Sequence, residues 1–259
     1  MTIRLSTGAR NAQGGTLGLA GAFNKGYINV YTGTQPTSAD AAATGTLLGT
    51  VTDTSLTLTK ETRATGTVTI TGATAGSINT LTVGGLNIIP DGAVTVVASD
   101  NPGTAAKLAE AINRNGIMEA RVSSNVVTLL GRPGTGVTTA AVSGTTTTVS
   151  AAYVNMGSGV AGAAPVNALR LLMPTAGILS KPTDQVWSFA GVAAGTAGWF
   201  RFFSSDTADT GALLSAAPWY PRIDGSVAVS GGDMNLSNIV VAVSAPNTVD
   251  RFNATIPAA

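Results

Sequence analysis

The chain has 259 residues, 14 Lys and Arg against 13 Asp and Glu, and neither histidine nor cysteine. That composition excludes Ser/His/Asp and Cys/His nucleophiles, imidazole acid–base catalysis, disulfides and thiolate or imidazole metal sites. A formal net charge of +1 with 10% charged residues leaves no electrostatic footprint for nucleic acid or an anionic membrane, so partners should be read by shape.

The mean hydropathy of +0.30 comes from alanine, valine and glycine. No uninterrupted apolar run approaches the ~20 residues a helical membrane span needs. The opening Met1-Thr-Ile-Arg-Leu-Ser lacks the basic-then-apolar order of a signal peptide, which points to a protein made in the cytoplasm of its producer. With 32 glycines and many Thr, Ser and Ala, short strands joined by tight turns are expected over helices.

Residues 1 to 24 carry loosely helical apolar spacing broken by Gly8, Gly14, Gly15, Gly18 and Gly21. A short helix near 5–13 followed by an arm is expected. The arm docks either on its own domain or on a neighbouring subunit, with Leu5 and Arg10 as candidate contacts. Gly26–Tyr31 and Thr46–Val51 read as strands, separated by the turn Thr32-Gly-Thr-Gln-Pro36 and a polar loop to Gly45.

From about residue 63 the pattern changes to a small α+β module. Thr67–Ile70 and Thr80–Val83 read as strands, and Gly84-Gly85 turns the second into Leu86–Ile89, a strong hairpin signal. After a short Val94–Val97 strand comes one convincing helix, 104–115. Thr104 is its expected N-cap, Gly116 its stop, and Ala105, Leu108, Ala109 and Ile112 its apolar stripe. Ala120–Ser123, Asn125–Leu130 and a last strand near Thr145–Val149 complete the module, which a linker-like Gly157–Pro165 closes. The expected domains are therefore an inserted module at 63–162 and a discontinuous one from 1–62 and 163–259. The latter, with about nine short strands, is expected to be an antiparallel β-sandwich of jelly-roll type.

Three chemical readings are weak. Asp224 with Asp233 supplies two carboxylates for a glycosidase, but both lie beside turns. Ser204–Asp209 offers oxygens without EF-hand spacing, and Gly131–Gly136 lacks the Gly-Lys-Ser/Thr ending of a phosphate loop. No catalytic residue, cofactor or metal is assigned.

The most informative strand is Thr196–Phe203. Alternation places Phe200 and Phe202 on one face and Trp199, Arg201 and Phe203 on the other. One face belongs to the core, and the second needs a cover, either another layer of the same chain or another subunit. Trp199, Arg201 and Phe203 are thus candidate interface residues for a dimer or trimer. Trp219 and Tyr220, in Pro218-Trp-Tyr-Pro221, are candidate contacts as well, and with Trp199 they are the sugar-stacking platforms of an alternative carbohydrate-binding reading.

Several segments resemble one family of tailed-bacteriophage virion structural proteins. They are Met1–Asn11, Ile28–Leu48 through Tyr31-Thr-Gly-Thr-Gln-Pro36, Thr196-Ala-Gly-Trp-Phe-Arg-Phe202, Arg222-Ile-Asp-Gly-Ser-Val227 and Met234-Asn-Leu-Ser-Asn238, in the family's order. Residues 63–162 are an addition to that pattern and resemble a β-β-α-β-β module common on phage tail and surface proteins. The resemblance implies a non-enzymatic virion component, foremost a capsid decoration (cement) protein bound to the major capsid protein. A tail, neck or fibre component is the near alternative. It supplies no catalytic residues to carry over.

Overall fold

Alternating β-branched and polar residues, punctuated by glycine, give a mainly β chain. A computed structural model describes residues 3–14, 18–115, 117–131, 139–157, 162–204 and 221–255. In chain order its elements are β1 (Arg4–Leu5), α1 (Thr7–Gly14), α2 (Gly18–Phe23), β2 (Tyr27–Thr32), β3 (Leu47–Asp53), β4 (Thr65–Val83), β5 (Leu86–Asn87), β6 (Val94–Thr95), α3 (Asn101–Asn115), β7 (Glu119–Ser123), β8 (Val126–Leu130) and β9 (Val142–Val154). They continue with β10 (Ile178–Ser180), β11 (Trp187–Ala190), β12 (Gly195–Phe203), β13 (Arg222–Ala228), β14 (Met234–Leu236), β15 (Val240–Val241) and β16 (Pro246–Thr255). The chain divides into two units, Met1–Lys60 with Pro165–Ala259 and Glu61–Ala164.

In unit 1 the strands run β1-β13-β14-β16-β11-β3-β2-β12-β15, and β12 also pairs with β13. The hydrogen-bonded path β13-β14-β16-β11-β3-β2-β12 therefore closes into a seven-stranded barrel, without the free edges that the two stacked sheets expected from the sequence would leave. Its interior is aromatic. The Phe202 ring lies 5.2 Å from Phe23, 6.1 Å from Trp187 and 5.6 Å from Phe252, centroid to centroid. Ile28, Val30, Leu48, Val51, Phe200 and Ile223 fill the space around them.

The connection after β13 is not a hairpin. β14 runs parallel to β13, with Val227 opposite Met234. Side chains hold this connection: Asp233 Oδ2 accepts from Ser226 N at 2.9 Å and from Ser226 Oγ at 2.7 Å, bringing the chain back alongside the strand it has just left. The N-terminal arm docks on its own unit. β1 pairs with β13, Ser6 Oγ caps α1 by accepting from Ala9 N at 3.1 Å, and α2 buries Leu19, Ala20, Ala22 and Phe23. Unit 1 is closed where its chain is interrupted: Thr59 and Val166 donate their amides to each other's carbonyls at 3.2 and 3.0 Å.

In unit 2 the two strands expected at 67–70 and 80–83 are one element, β4, whose pairing with β9 shifts register at three points. Such bulges bend a strand without ending it. Gly84 and Gly85 have φ of 58° and 82° and form the two-residue turn into β5, as their pairing predicts. α3 backs the sheet through Ala105, Leu108, Ala109 and Ile112. Its cap is Asp100, not Thr104. Asp100 Oδ1 accepts from Gly103 N at 2.8 Å, while Thr104 is buried in the first turn and accepts from Val97 N at 2.9 Å. The Asp100→Ala variant is expected to lose about 0.5–2 kcal/mol of unit 2 stability, read by urea unfolding followed in far-ultraviolet circular dichroism.

Candidate functional site

The outward face of β2, β12 and β13 gathers the sequence-predicted residues. Antiparallel register places Tyr31, Trp199 and Ser226 in one row, Asn29, Arg201 and Asp224 in the next, and Tyr27, Phe203 and Arg222 in a third. Arg4 of β1 stands opposite Asp224 and Thr50 of β3 opposite Asn29, so the middle row crosses five strands. Alternation puts the named residues of β2, β12 and β13, each two apart on its own strand, on one face, and the pairing register aligns them in rows.

At the centre, Arg201 and Asp224 form a bidentate ion pair. Arg201 Nε donates to Asp224 Oδ1 and Nη2 to Oδ2, both at 2.7 Å. Arg201 Nη1 donates to Ala41 O at 2.8 Å. Burial pushes the Asp224 carboxyl above the ordinary carboxylate range, against the pull of Arg201, Arg222 and Arg4. Two aromatic stacks flank the pair: Tyr31 on Trp199 at 4.6 Å and Tyr27 on Phe203 at 4.9 Å. The Arg201 guanidinium lies 5.4 Å from the Trp199 ring and that of Arg222 lies 5.4 Å from Phe203. Burial also raises the Tyr31 hydroxyl, which accepts from Asn29 Nδ2 at 3.2 Å.

This face needs a cover, from another layer of the same chain or from another subunit. Trp199, Arg201 and Phe203 are 0%, 1% and 6% exposed within the single chain, so the chain itself covers them and none of the three offers an accessible contact surface. A sugar cannot stack on Trp199 either, since the ring is fully covered. Leu5 is half-buried opposite Ile223. Arg10 keeps its side chain 58% exposed and donates to Leu5 O and to Thr7 Oγ1. Trp219, Tyr220 and the Asp206 to Asp209 cluster lie outside the described residues, as does Gly131–Gly136 beyond its first glycine. Asp224 is locked to Arg201 and Asp233 to Ser226, so neither is poised as a general acid or base.

Sequence reasoning missed the counter-ion and the loop that complete this face. Half of its signal was present. Alternation puts Ile223 and Val227 on one face and Arg222 and Asp224 on the other, but only the pairing of β13 with β12 sets Asp224 across from Arg201. The contribution of residues 33–45 has no such pattern, because backbone carbonyls leave no mark on sequence.

Beside the middle row lies an open groove of about 380 Å³ whose lining includes Tyr27, Asn29, Thr50, Thr52, Ser55 and Lys60. Its hydroxyls are used internally: Thr50 Oγ1 donates to Asn29 Oδ1 at 2.8 Å, Thr52 Oγ1 to Leu56 O at 2.7 Å and Ser55 Oγ to Ser188 Oγ at 2.8 Å. Among the described residues no group of three or more acidic side chains is placed to hold a metal ion, and no helix is long and apolar enough to cross a membrane. Comparison with protein-family models, curated proteins and solved structures returns no match.

Proposed function

We propose that the chain is a structural component of a bacteriophage virion, foremost a decoration protein bound to the capsid shell. One observation carries the reading. The segments that resemble the virion family are the ones that tie unit 1 together: Arg4 to the carbonyls of Gln35 and Pro36, Thr7 to Asp40, Arg201 to Ala41 and to Asp224. Charged side chains in these segments are spent on internal ties, which is what a structural signature demands and what a catalytic one does not.

The surface left for partners includes Val192, Val240 and Val243, each more than half exposed. They sit in two segments that hydrogen-bond one another, Gly191 N to Ala245 O and Ser244 N to Gly191 O. Neither segment, 190–195 or 238–246, the second of which includes β15, contains a charged residue. Uncharged apolar surface of this kind is suited to burial against a shell, and repetition over many copies makes weak single contacts strong in sum.

Mass spectrometry of purified particles is expected to detect the chain, and labelling with a specific antibody in electron micrographs is expected to decorate the capsid. Particles that lack the chain would sink the proposal. Label confined to the tail or neck would move the protein from shell to tail and leave the structural role standing.

A further inference from the structure

Residues 33–45, between β2 and β3, cross the outer face as a strap. Both ends are glycines in the left-handed region, Gly33 with φ 77° and Gly45 with φ 81°. Within the strap only Gln35, Pro36 and Ala39 are buried, and 41–45 are all exposed. No large apolar side chain anchors it.

What holds the strap is polar. Arg201 donates to Ala41 O, and Arg4 donates to Gln35 O and Pro36 O. The Asp40 carboxylate accepts from Thr7 N at 2.9 Å and from Thr7 Oγ1 at 2.9 Å, in the first turn of α1. The strap and the N-terminal helix therefore share one carboxylate.

Trp199 lies on β12 between Gly198 and Arg201. A β-carbon on Gly198 would come to 2.0 Å from the carbonyl oxygen of Gly33, the first residue of the strap, and Arg201 reaches Ala41. Trp199 is fully buried, yet its Nε1 finds no acceptor among the described residues. A buried N–H without a partner costs free energy that contact with water would return.

We infer that the strap is a releasable cover. It lifts from the outer face about Gly33 and Gly45 while the barrel stays folded, and it bares Trp199 and the Arg201 guanidinium to solvent. Lifting breaks hydrogen bonds, and water replaces them. The barrel, by contrast, is held by aromatic and aliphatic packing that only unfolding exposes. Segments with few buried apolar contacts open at lower free energy than the core of the same unit.

The two described indole protons of the wild-type chain provide the test, by hydrogen exchange followed with NMR. Trp187 Nε1 donates to Gln185 Oε1 at 2.8 Å inside the barrel and should exchange only when unit 1 unfolds. The Trp199 indole proton is expected to exchange faster, with a weaker dependence on added urea. Asp40→Ala should accelerate Trp199 about tenfold, the typical effect of deleting a capping carboxylate, and leave Trp187 unchanged. Equal rates with equal urea dependence in the wild-type chain would overturn the proposal. So would fast Trp199 exchange that Asp40→Ala does not alter, since the opening would then lie elsewhere. If Asp40→Ala loosens all of unit 1, both protons accelerate together, and the wild-type comparison decides.

Discussion

Replacing Asp224 by alanine is expected to destabilise unit 1 by about 3–5 kcal/mol, the usual result of stranding one member of a buried ion pair. The arithmetic lies in what is left behind. Arg201 is 1% exposed, so the variant must either bury an uncompensated guanidinium or open the face to water. The pair itself is a poor source of net stability, because desolvation offsets most of the attraction between its members. Its cost to the folded state is visible in the upward push that burial gives the Asp224 carboxyl. Removing both charges at once, as in Arg201→Met with Asp224→Leu, is accordingly expected to be near neutral. Urea unfolding followed by tryptophan fluorescence checks both variants, since Trp187 and Trp199 both belong to unit 1. A single variant as stable as the wild type would show that the guanidinium finds another partner.

The second large effect belongs to β12, on the face opposite Arg201. Phe202→Ala should cost about 3–5 kcal/mol, the range for deleting a large aromatic side chain from a packed core. Phe202 touches Phe23 of α2, Trp187 of β11 and Phe252 of β16, so the cavity would open where three separate elements converge. Those rings cannot close the gap without moving the backbones that carry them. The same fluorescence-detected unfolding measures the loss, and a change below about 1 kcal/mol would mean that the core collapses freely around the hole.

Phe202 and Arg201, the partner of Asp224, lie on β12, a strand whose two faces are legible in the sequence. Strand alternation locates the faces of Thr196–Phe203 correctly, because period two is a local property of the backbone. The helix at 104–115 is equally legible from its apolar stripe, although its cap lies four residues earlier than expected, since Asp100 and Thr104 are both plausible capping types. Closure of the barrel is not legible. It depends on β12 pairing with β13 as well as with β2, a non-local choice that the composition of neither strand encodes. The cover of the second face escapes the sequence for the same reason. A large aromatic side chain pointing away from the core implies a cover, but the attachments supplied by residues 35–41 are mostly backbone carbonyls, which every residue type carries.

The mutual hydrogen bonds of Thr59 and Val166 have a consequence for how such a chain could arise and be re-engineered. To unit 1, residues 61–164 are the tip of a hairpin whose base is already fastened. The entropy of closing a loop grows only with the logarithm of its length, so going from a few residues to a hundred across a fastened base costs only about 3 kcal/mol. The site is a socket: sequences can be exchanged there, lengthened or cut back to a turn, and evolution can vary what the scaffold displays without redesigning the scaffold.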